Sequence, residues 1–190
     1  KISKYQNPIF SLVSHIYMND IEIMTQIALN EKDSFSKMSI KTRNAISKNK
    51  KVALKLINLD PFNYEYLSKE MQIDNTCIES VLSLKPGVYE NFPIEIKNNI
   101  QLTIKFVKNF NIDVKFLSDE VKKNEIIAKI MTEKNGNNLE YFTLFKENKD
   151  LVEIALKTSK RLSLIPKEQR NDLIIENIVL NATREENSFN

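Results

Sequence analysis

The sequence predicts an all-α protein, organised as a right-handed α-solenoid of about seven two-helix repeats of about 25 residues each. The first observation is a self-match: residues 52–57 (VALKLI) recur as residues 102–107 (LTIKFV), and residues 66–71 (YLSKEM) recur as residues 116–121 (FLSDEV). Residues 77–81 and 91–96 fill the places halfway between these matches. The second observation is that 190 residues include only two glycines and five prolines, too few for the tight turns of an all-β fold.

Long helices are predicted wherever apolar residues are spaced by a mixture of three and four, because that spacing places them on one helical face. The predicted helices cover residues 20–29, 49–59, 75–85, 99–109, 123–134, 148–158 and 171–182. In the second of these helices the apolar positions that mark the predicted buried face are Val52, Leu54 in part, Leu56, Ile57 and Leu59. That helix is expected to end at Asp60, because the residue before a proline is disfavoured in the α conformation.

Two glycines are predicted to mark helix ends. Gly136 follows Lys134 and Asn135, where a helix stop is expected, and Gly87 follows Pro86 at the end of the helix over 75–85. A short second helix is predicted to begin after each long one, at a residue that suits a helix start. These residues are Ser39, Ser68, Pro93, Ser118, Thr143 and Pro166. A hydroxyl can accept a hydrogen bond from a free backbone N–H there, and proline fits the first turn.

A column of glutamates stands two residues after four of these starting positions: Glu70, Glu95, Glu120 and Glu168. The column could be read as a ring of catalytic or metal-binding acids. We interpret it instead as helix-start chemistry, because a carboxylate in the first turn is stabilised by the helix dipole. No linker or low-complexity segment interrupts residues 1–190. The chain is therefore predicted to be one domain, with an N-terminal cap over 1–18, repeat units over 19–182 and a polar tail over 183–190.

The repeated segments resemble a known family. Residues 52–57 followed by 64–71 (YEYLSKEM) are similar to the repeat of domain-of-unknown-function family 4116, whose pattern is a V-V-x-x-A-V helix followed by A-L-x-Y-A-S-x-E-L. Residues 139–143 (LEYFT) and 162–168 (LSLIPKE) resemble it again, so that the likeness covers about residues 49–170. The chain lacks the family's small alanines in the connector and the glycine before it. The resemblance implies a helical repeat of bacterial type, found among others in secreted effectors, with no catalytic residues.

The inventory of reactive side chains predicts no catalytic, cofactor-binding or metal-binding site. His15 and Cys77 are single, which excludes zinc bound by the usual nitrogen and sulfur ligands and any internal disulfide. Cys77 occupies the place of Val52 and Leu102 in the repeat, so a small buried hydrophobic residue is expected there rather than a reactive thiol. His15 is expected to be a surface or hydrogen-bonded histidine rather than a catalytic base. The glycosylation-like triplet at Asn181 is expected to be a chance match.

The candidate binding residues are lysines. Lys55, Lys105 and Lys129 fall at nearly equivalent places on successive long helices, and Lys108 and Lys157 share another. Stacked helices would align these residues into a stripe on one face. We read the stripe as the binding surface of a non-enzymatic protein–protein interaction module, part of a bacterial effector, an immunity factor or a scaffold. The alternative is a nucleic-acid-binding helical repeat, and the simplest reading is a solvated face.

Net charge and hydropathy bear on the choice of partner and on the expected location of the protein. The net charge is +3, from 28 basic and 25 acidic residues. Only four of the basic residues are arginines. Arginine, unlike lysine, forms the bidentate hydrogen bonds by which proteins recognise phosphate and guanine. A protein partner is therefore favoured over nucleic acid. The longest uncharged stretch, residues 8–19, is shorter than the ~20 apolar residues that span a membrane. We expect no membrane span and no signal peptide. The expected location is the cytoplasm, with secretion into a host cell as the alternative if the protein is an effector.

Overall fold

The protein is described by a computed structural model that covers residues 16, 17, 19–31 and 33–159. All regular structure in these residues is helical, and they contain no strand, which confirms the all-α prediction for this part of the chain. The α-helices are α1 (Ile21–Asn30), α2 (Ser34–Lys37), α3 (Ile40–Ser47), α4 (Lys50–Leu59), α5 (Lys69–Gln72), α6 (Asn75–Leu84), α7 (Ile94–Lys97), α8 (Ile100–Asn109), α9 (Glu125–Lys134) and α10 (Lys149–Ser159). The helix predicted over 171–182, the tail over 183–190, His15, Glu168 and Asn181 lie outside the described residues.

The long helices recur at an almost constant step. α4, α6, α8 and α9 begin 25 residues apart, and α10 begins 24 residues after α9. Their bounds, and those of α1, agree with the predicted helices to within two residues. Connectors made of 3₁₀ turns link them: Pro61–Tyr66, Pro86–Asn91, Val114–Phe116, Val121–Lys123, Gly136–Tyr141 and Thr143–Phe145. The period seen in the sequence therefore corresponds to a helix–connector period in the structure.

The chain divides into two compact units, Lys1–Pro93 and Ile94–Asn190. In the first unit α4 packs between α1 and α6, and the connector after α4 packs on both α4 and α6. Its core includes Leu56 and Tyr64, which are fully buried. The ring of Phe92 lies 4.7 Å from that of Tyr64 and 5.2 Å from that of Tyr89. These aromatic side chains fill the core of the first unit, because each occupies an apolar position of the repeat.

In the second unit α9 packs against α8 on one side and α10 on the other, and the connector Gly136–Tyr141 packs on α9 and α10. Phe106, Val107, Ile127 and Phe142 are buried in this unit. Helices adjacent in sequence are thus neighbours in space within each unit. Burial of this kind is what short helices need, since a ten-residue helix is marginal in water without packing of its apolar face. The single domain predicted over residues 1–190 stays a prediction.

Gly87 and Gly136 were predicted to stop helices, and the structure gives them other roles. Neither has the positive φ of a left-handed helix stop. α9 ends at Lys134 because Asn135 is extended, with φ of −157°. A Cβ added at Gly136 would lie 2.1 Å from the backbone oxygen of Ala155, so this glycine permits close approach of the connector to α10. α6 ends at Leu84, because Lys85, the residue before Pro86, is non-helical with φ of −151° and ψ of 87°. A Cβ at Gly87 would meet nothing within 4 Å among the described residues.

The residues that begin the long helices were missed by the sequence analysis. They form an Asn/Asp column: Asn49, Asp74, Asn99, Asn124 and Asn148. Each accepts hydrogen bonds from the first-turn N–H groups, as Asp74 Oδ1 does at 2.9 Å from the N–H of Thr76. Of the serines predicted as helix starts, Ser39 does cap α3, with its hydroxyl accepting from the N–H of Thr42. Ser68 makes no cap bond with its side chain, and Ser118 donates to the carbonyl of Lys97 at 3.2 Å.

Asp74 also pairs with the preceding repeat, and this contact predicts a pH dependence. Its Oδ2 accepts from Lys50 Nζ at 2.8 Å, and this hydrogen bond lowers the pKa of the Asp74 carboxyl below its usual range. A lowered folded-state pKa stabilises the protein above the unfolded pKa, and the stabilisation is lost as the pH falls through the folded pKa. We expect Asp74→Asn, which keeps the cap, to reduce the free energy of unfolding by about 0.5–1 kcal/mol at about pH 7, and we expect this difference to shrink as the pH is lowered toward about 2, through the folded pKa.

Urea unfolding of both proteins across this pH range measures the difference. Lys50→Gln is the matched control, because in that background Asp74→Asn should lose most of its effect. An equal loss of stability at both ends of the range would mean that Asp74 acts through its cap and not through its charge.

Candidate functional site

The long helices of the second unit present one exposed face each, opposite the buried one. We call the three exposed stripes together the outer face. Its residues are Gln101, Lys105 and Lys108 on α8, Ile126, Lys129 and Glu133 on α9, and Asp150, Glu153 and Lys157 on α10. In each helix these residues are three or four apart, so that they lie on one side. Because α8, α9 and α10 pack in chain order, the stripes lie side by side in the second unit.

All five lysines of the predicted stripe are exposed. Lys55 belongs to the first unit, on α4, and the other four lie on the outer face of the second. Counted from the helix starts, Lys105 is the sixth residue of α8, whereas Lys129 is the fifth residue of α9. The two lysines on α8 and α10, Lys108 and Lys157, share the ninth position. The structure therefore places four of the lysines on exposed sides of successive helices, at three different helix positions.

Carboxylates interrupt the lysines on this surface. Glu133 occupies on α9 the ninth position that Lys108 and Lys157 occupy on the adjacent helices. Lys157 Nζ pairs with Glu153 Oε1 at 2.9 Å. The outer face thus combines four lysines with three carboxylates and becomes more acidic from α8 to α10. A surface with both signs of charge suits the mixed charge of a protein partner better than the uniform negative charge of a nucleic-acid backbone.

A cleft of about 590 Å³ opens in the second unit, between the chain that follows α8 and the end of α9. Its lining residues are Asn111, Ile112, Asp113, Val114, Met131, Lys134, Asn135 and Asn138. Lys134 Nζ donates to the carbonyl of Phe110 at 2.9 Å, a bond that holds the ammonium group at the cleft. The sequence analysis missed this site, since its two walls are about one repeat apart in the chain and asparagine is common throughout.

An exposed apolar patch occurs in the first unit, where α4 and α6 end. Leu59, Phe62 and Leu84 are 42%, 44% and 49% exposed. Lys85 Nζ lies 4.1 Å from the centre of the Phe62 ring, so the end of α6 contacts the connector that follows α4. This cation–π contact links two successive repeats.

Cys77 is fully buried, as predicted. Burial, together with the nearby charge of Asp74, raises the pKa of its thiol to about 11. A thiol with a raised pKa is protonated near neutral pH and is a poor nucleophile. Within residues 16–17, 19–31 and 33–159, no three His, Cys, Asp or Glu side chains converge on a metal-sized site, and no helix is long and apolar enough to cross a bilayer.

Comparison with known proteins adds no relative to this description: the chain matches no family model, no curated protein and no solved structure. The likeness to family 4116 consequently stays a prediction carried by the quoted motifs.

Proposed function

We propose that the chain is a non-enzymatic protein–protein interaction module, built as a right-handed α-solenoid of about seven repeats over residues 19–182. The observation that carries the proposal is the outer face: three successive helices, stepped by 24 or 25 residues, each bury one side and expose the other. A repeated row of exposed helix faces offers a partner a broad surface whose side chains can vary without disturbing the core.

The chemistry of the outer face favours a protein with patches of both charges. Lys105 and Lys108 lie on α8, Lys129 lies on α9, and Asp150 and Glu153 lie on α10. A partner with an acidic region facing α8 and a basic region facing α10 would complement it in one orientation. We propose further that the module acts within a bacterial effector, an immunity factor or a scaffold, either in the cytoplasm or after secretion into a host cell. Cys77 is fully buried, so its thiol offers a substrate no accessible nucleophile.

Site-specific cross-linking tests the proposal. A photoreactive residue at Lys129 should capture one defined protein from the lysate of the source organism, whereas the same residue at the exposed Lys146, which is not part of the outer face, should not. The captured protein is then purified and its binding measured by calorimetry. We expect the double substitution Lys105→Glu with Lys129→Glu to weaken binding about tenfold and Lys146→Glu to leave it unchanged. Unchanged binding by the double variant, or turnover of a substrate abolished by one point mutation, would refute the proposal.

A nucleic-acid-binding repeat is the second candidate, and the lysines of α8 favour it, since the outer stripe of that helix carries two lysines and no carboxylate. It predicts binding to DNA or RNA that weakens steeply as salt is raised. The same Lys105→Glu with Lys129→Glu variant should then lose binding, with a shallower salt dependence. Fluorescence anisotropy with a labelled duplex and a labelled single strand at low and high salt separates this candidate from the first.

A further inference from the structure

The cleft beside α9 carries a cation that has no acidic partner. Lys134 forms no ion pair with the described residues, and its ammonium group uses one of its three protons on the carbonyl of Phe110. The acid that also lines the cleft, Asp113, has a cation of its own, because its Oδ2 lies 3.1 Å from Lys115 Nζ. Partial burial lowers the pKa of the Lys134 ammonium. An anion entering the cleft would therefore meet an ammonium group with two unused protons.

Three amide side chains line the same cleft, and each keeps hydrogen-bonding capacity. Asn135 Oδ1 accepts from the N–H of Asn137 at 3.0 Å, which leaves its NH₂ group to donate. Asn138 Nδ2 donates to the carbonyl of Met131 at 2.8 Å, which leaves its Oδ1 to accept. Asn111 makes no hydrogen bond to the described residues with its amide. A primary amide offers both donors and acceptors, the same complement that a peptide unit of a polypeptide main chain needs.

The shape of the cleft limits what it can hold. Its volume of about 590 Å³ is within the ~300–1,000 Å³ of ligand sites, but it is open to solvent and its lining is mainly polar. A small metabolite in such a site would bury little of its surface. A segment of a longer chain fits better, because the rest of that chain stays outside and only a few residues enter.

We propose that this cleft binds an extended, acidic peptide segment, with Lys134 pairing a carboxylate and the three asparagines hydrogen-bonding the peptide main chain. The inference rests on the proposed protein-binding function and adds a second contact to it, through residues that are not part of the outer face. Charge-assisted hydrogen bonds to the carboxylate supply the selectivity, and the amides supply sequence-independent contacts.

Nuclear magnetic resonance titration of the ¹⁵N-labelled chain tests this inference. The probes are a blocked tetrapeptide with one glutamate among glycines and its glutamine analogue. We expect the glutamate peptide to shift the side-chain amide signals of Asn111, Asn135 and Asn138 with a Kd of about 1 mM, and the glutamine peptide to bind about tenfold more weakly. Lys134→Gln should remove that preference while keeping the fold, since glutamine can still donate to the carbonyl of Phe110. Lys149→Gln, an exposed lysine outside the cleft, should keep the preference.

The inference is overturned if no shifts are confined to the cleft at about 10 mM peptide, if the two peptides bind equally, or if Lys134→Gln retains the preference. Thermal unfolding of both variants checks that they are folded. The two proposals fail separately. If a partner is captured at Lys129 but the glutamate peptide does not shift the asparagine signals, only the peptide-binding role of the cleft is refuted. If the peptide binds in the cleft but no protein is captured at Lys129, only the partner-binding role of the outer face is refuted.

Discussion

Gly136→Ala is expected to destabilise the second unit by about 3 kcal/mol or more, among the largest effects of any substitution that adds one methyl group. The added Cβ would lie 2.1 Å from the oxygen and 2.9 Å from the carbon of the Ala155 backbone carbonyl, and 2.6 Å from Thr158 Oγ1. Two of these atoms belong to the backbone of α10, so the clash cannot be relieved by rotating a side chain. The connector and α10 must move apart, which disturbs the packing of both against α9. Urea unfolding measures the loss.

Gly87→Ala is the matched control for this prediction. Gly87 lies in the equivalent connector of the first unit, and a Cβ there would have no described atom within 4 Å. The substitution should be neutral or stabilise by up to about 1 kcal/mol, because alanine restricts the unfolded chain more than glycine does. Similar small effects at both glycines would show that the connector after α9 does not approach α10 as closely as the structure has it.

Phe106→Ala is expected to cost about 3–5 kcal/mol, and Leu56→Ala about 2–5 kcal/mol. Phe106 is 1% exposed on the buried face of α8, and Leu56 is fully buried on α4. Each change removes apolar area from contact with neighbouring repeats and leaves a cavity that the short helices can close only in part. Thermal and urea unfolding of each variant measure the cost, and far-ultraviolet circular dichroism shows whether helix content falls with it.

Exposed residues on the same elements provide the comparison. Ile126→Ala on α9 and Leu59→Ala on α4 remove side chains that are 55% and 42% exposed, and each should cost less than about 1 kcal/mol. Near-neutral behaviour of Phe106→Ala and Leu56→Ala as well would mean that the buried face has been assigned to the wrong side of the helices.

The Asn/Asp column shows what could have been read from the sequence and was not. Asn49, Asp74, Asn99 and Asn124 recur at a step of 25 residues immediately before each long helix, and these are among the best N-cap residues. Ser68 and Ser118 were instead predicted to start short helices through their hydroxyls. Their side chains do not cap helices: the Ser68 hydroxyl is buried without a hydrogen-bond partner among the described residues, and the Ser118 hydroxyl donates to the carbonyl of Lys97. A short irregular turn is harder to predict than a capped ten-residue helix, because fewer local constraints act on it.

The lysines illustrate a different limit. Lys129 was predicted at a place nearly equivalent to that of Lys105, and the helix starts separate the two lysines by one position, which is a rotation of about 100° around the helix. A difference of one residue is small for helix prediction but large for the composition of a surface. Glu133, which interrupts the lysines, was visible in the sequence, but its place beside them depends on where α9 begins.

The amino-acid sequence by itself determined the helical class, the step of 24 or 25 residues and the positions of the long helices, because apolar spacing and capping act within about ten residues of chain. Only the tertiary structure decided why Gly136 must be a glycine and that Lys134 meets the carbonyl of Phe110 at a polar cleft. Those contacts join residues about one repeat apart. Their distances depend on how closely successive helices and connectors pack, and side-chain volume and backbone approach set that distance in three dimensions.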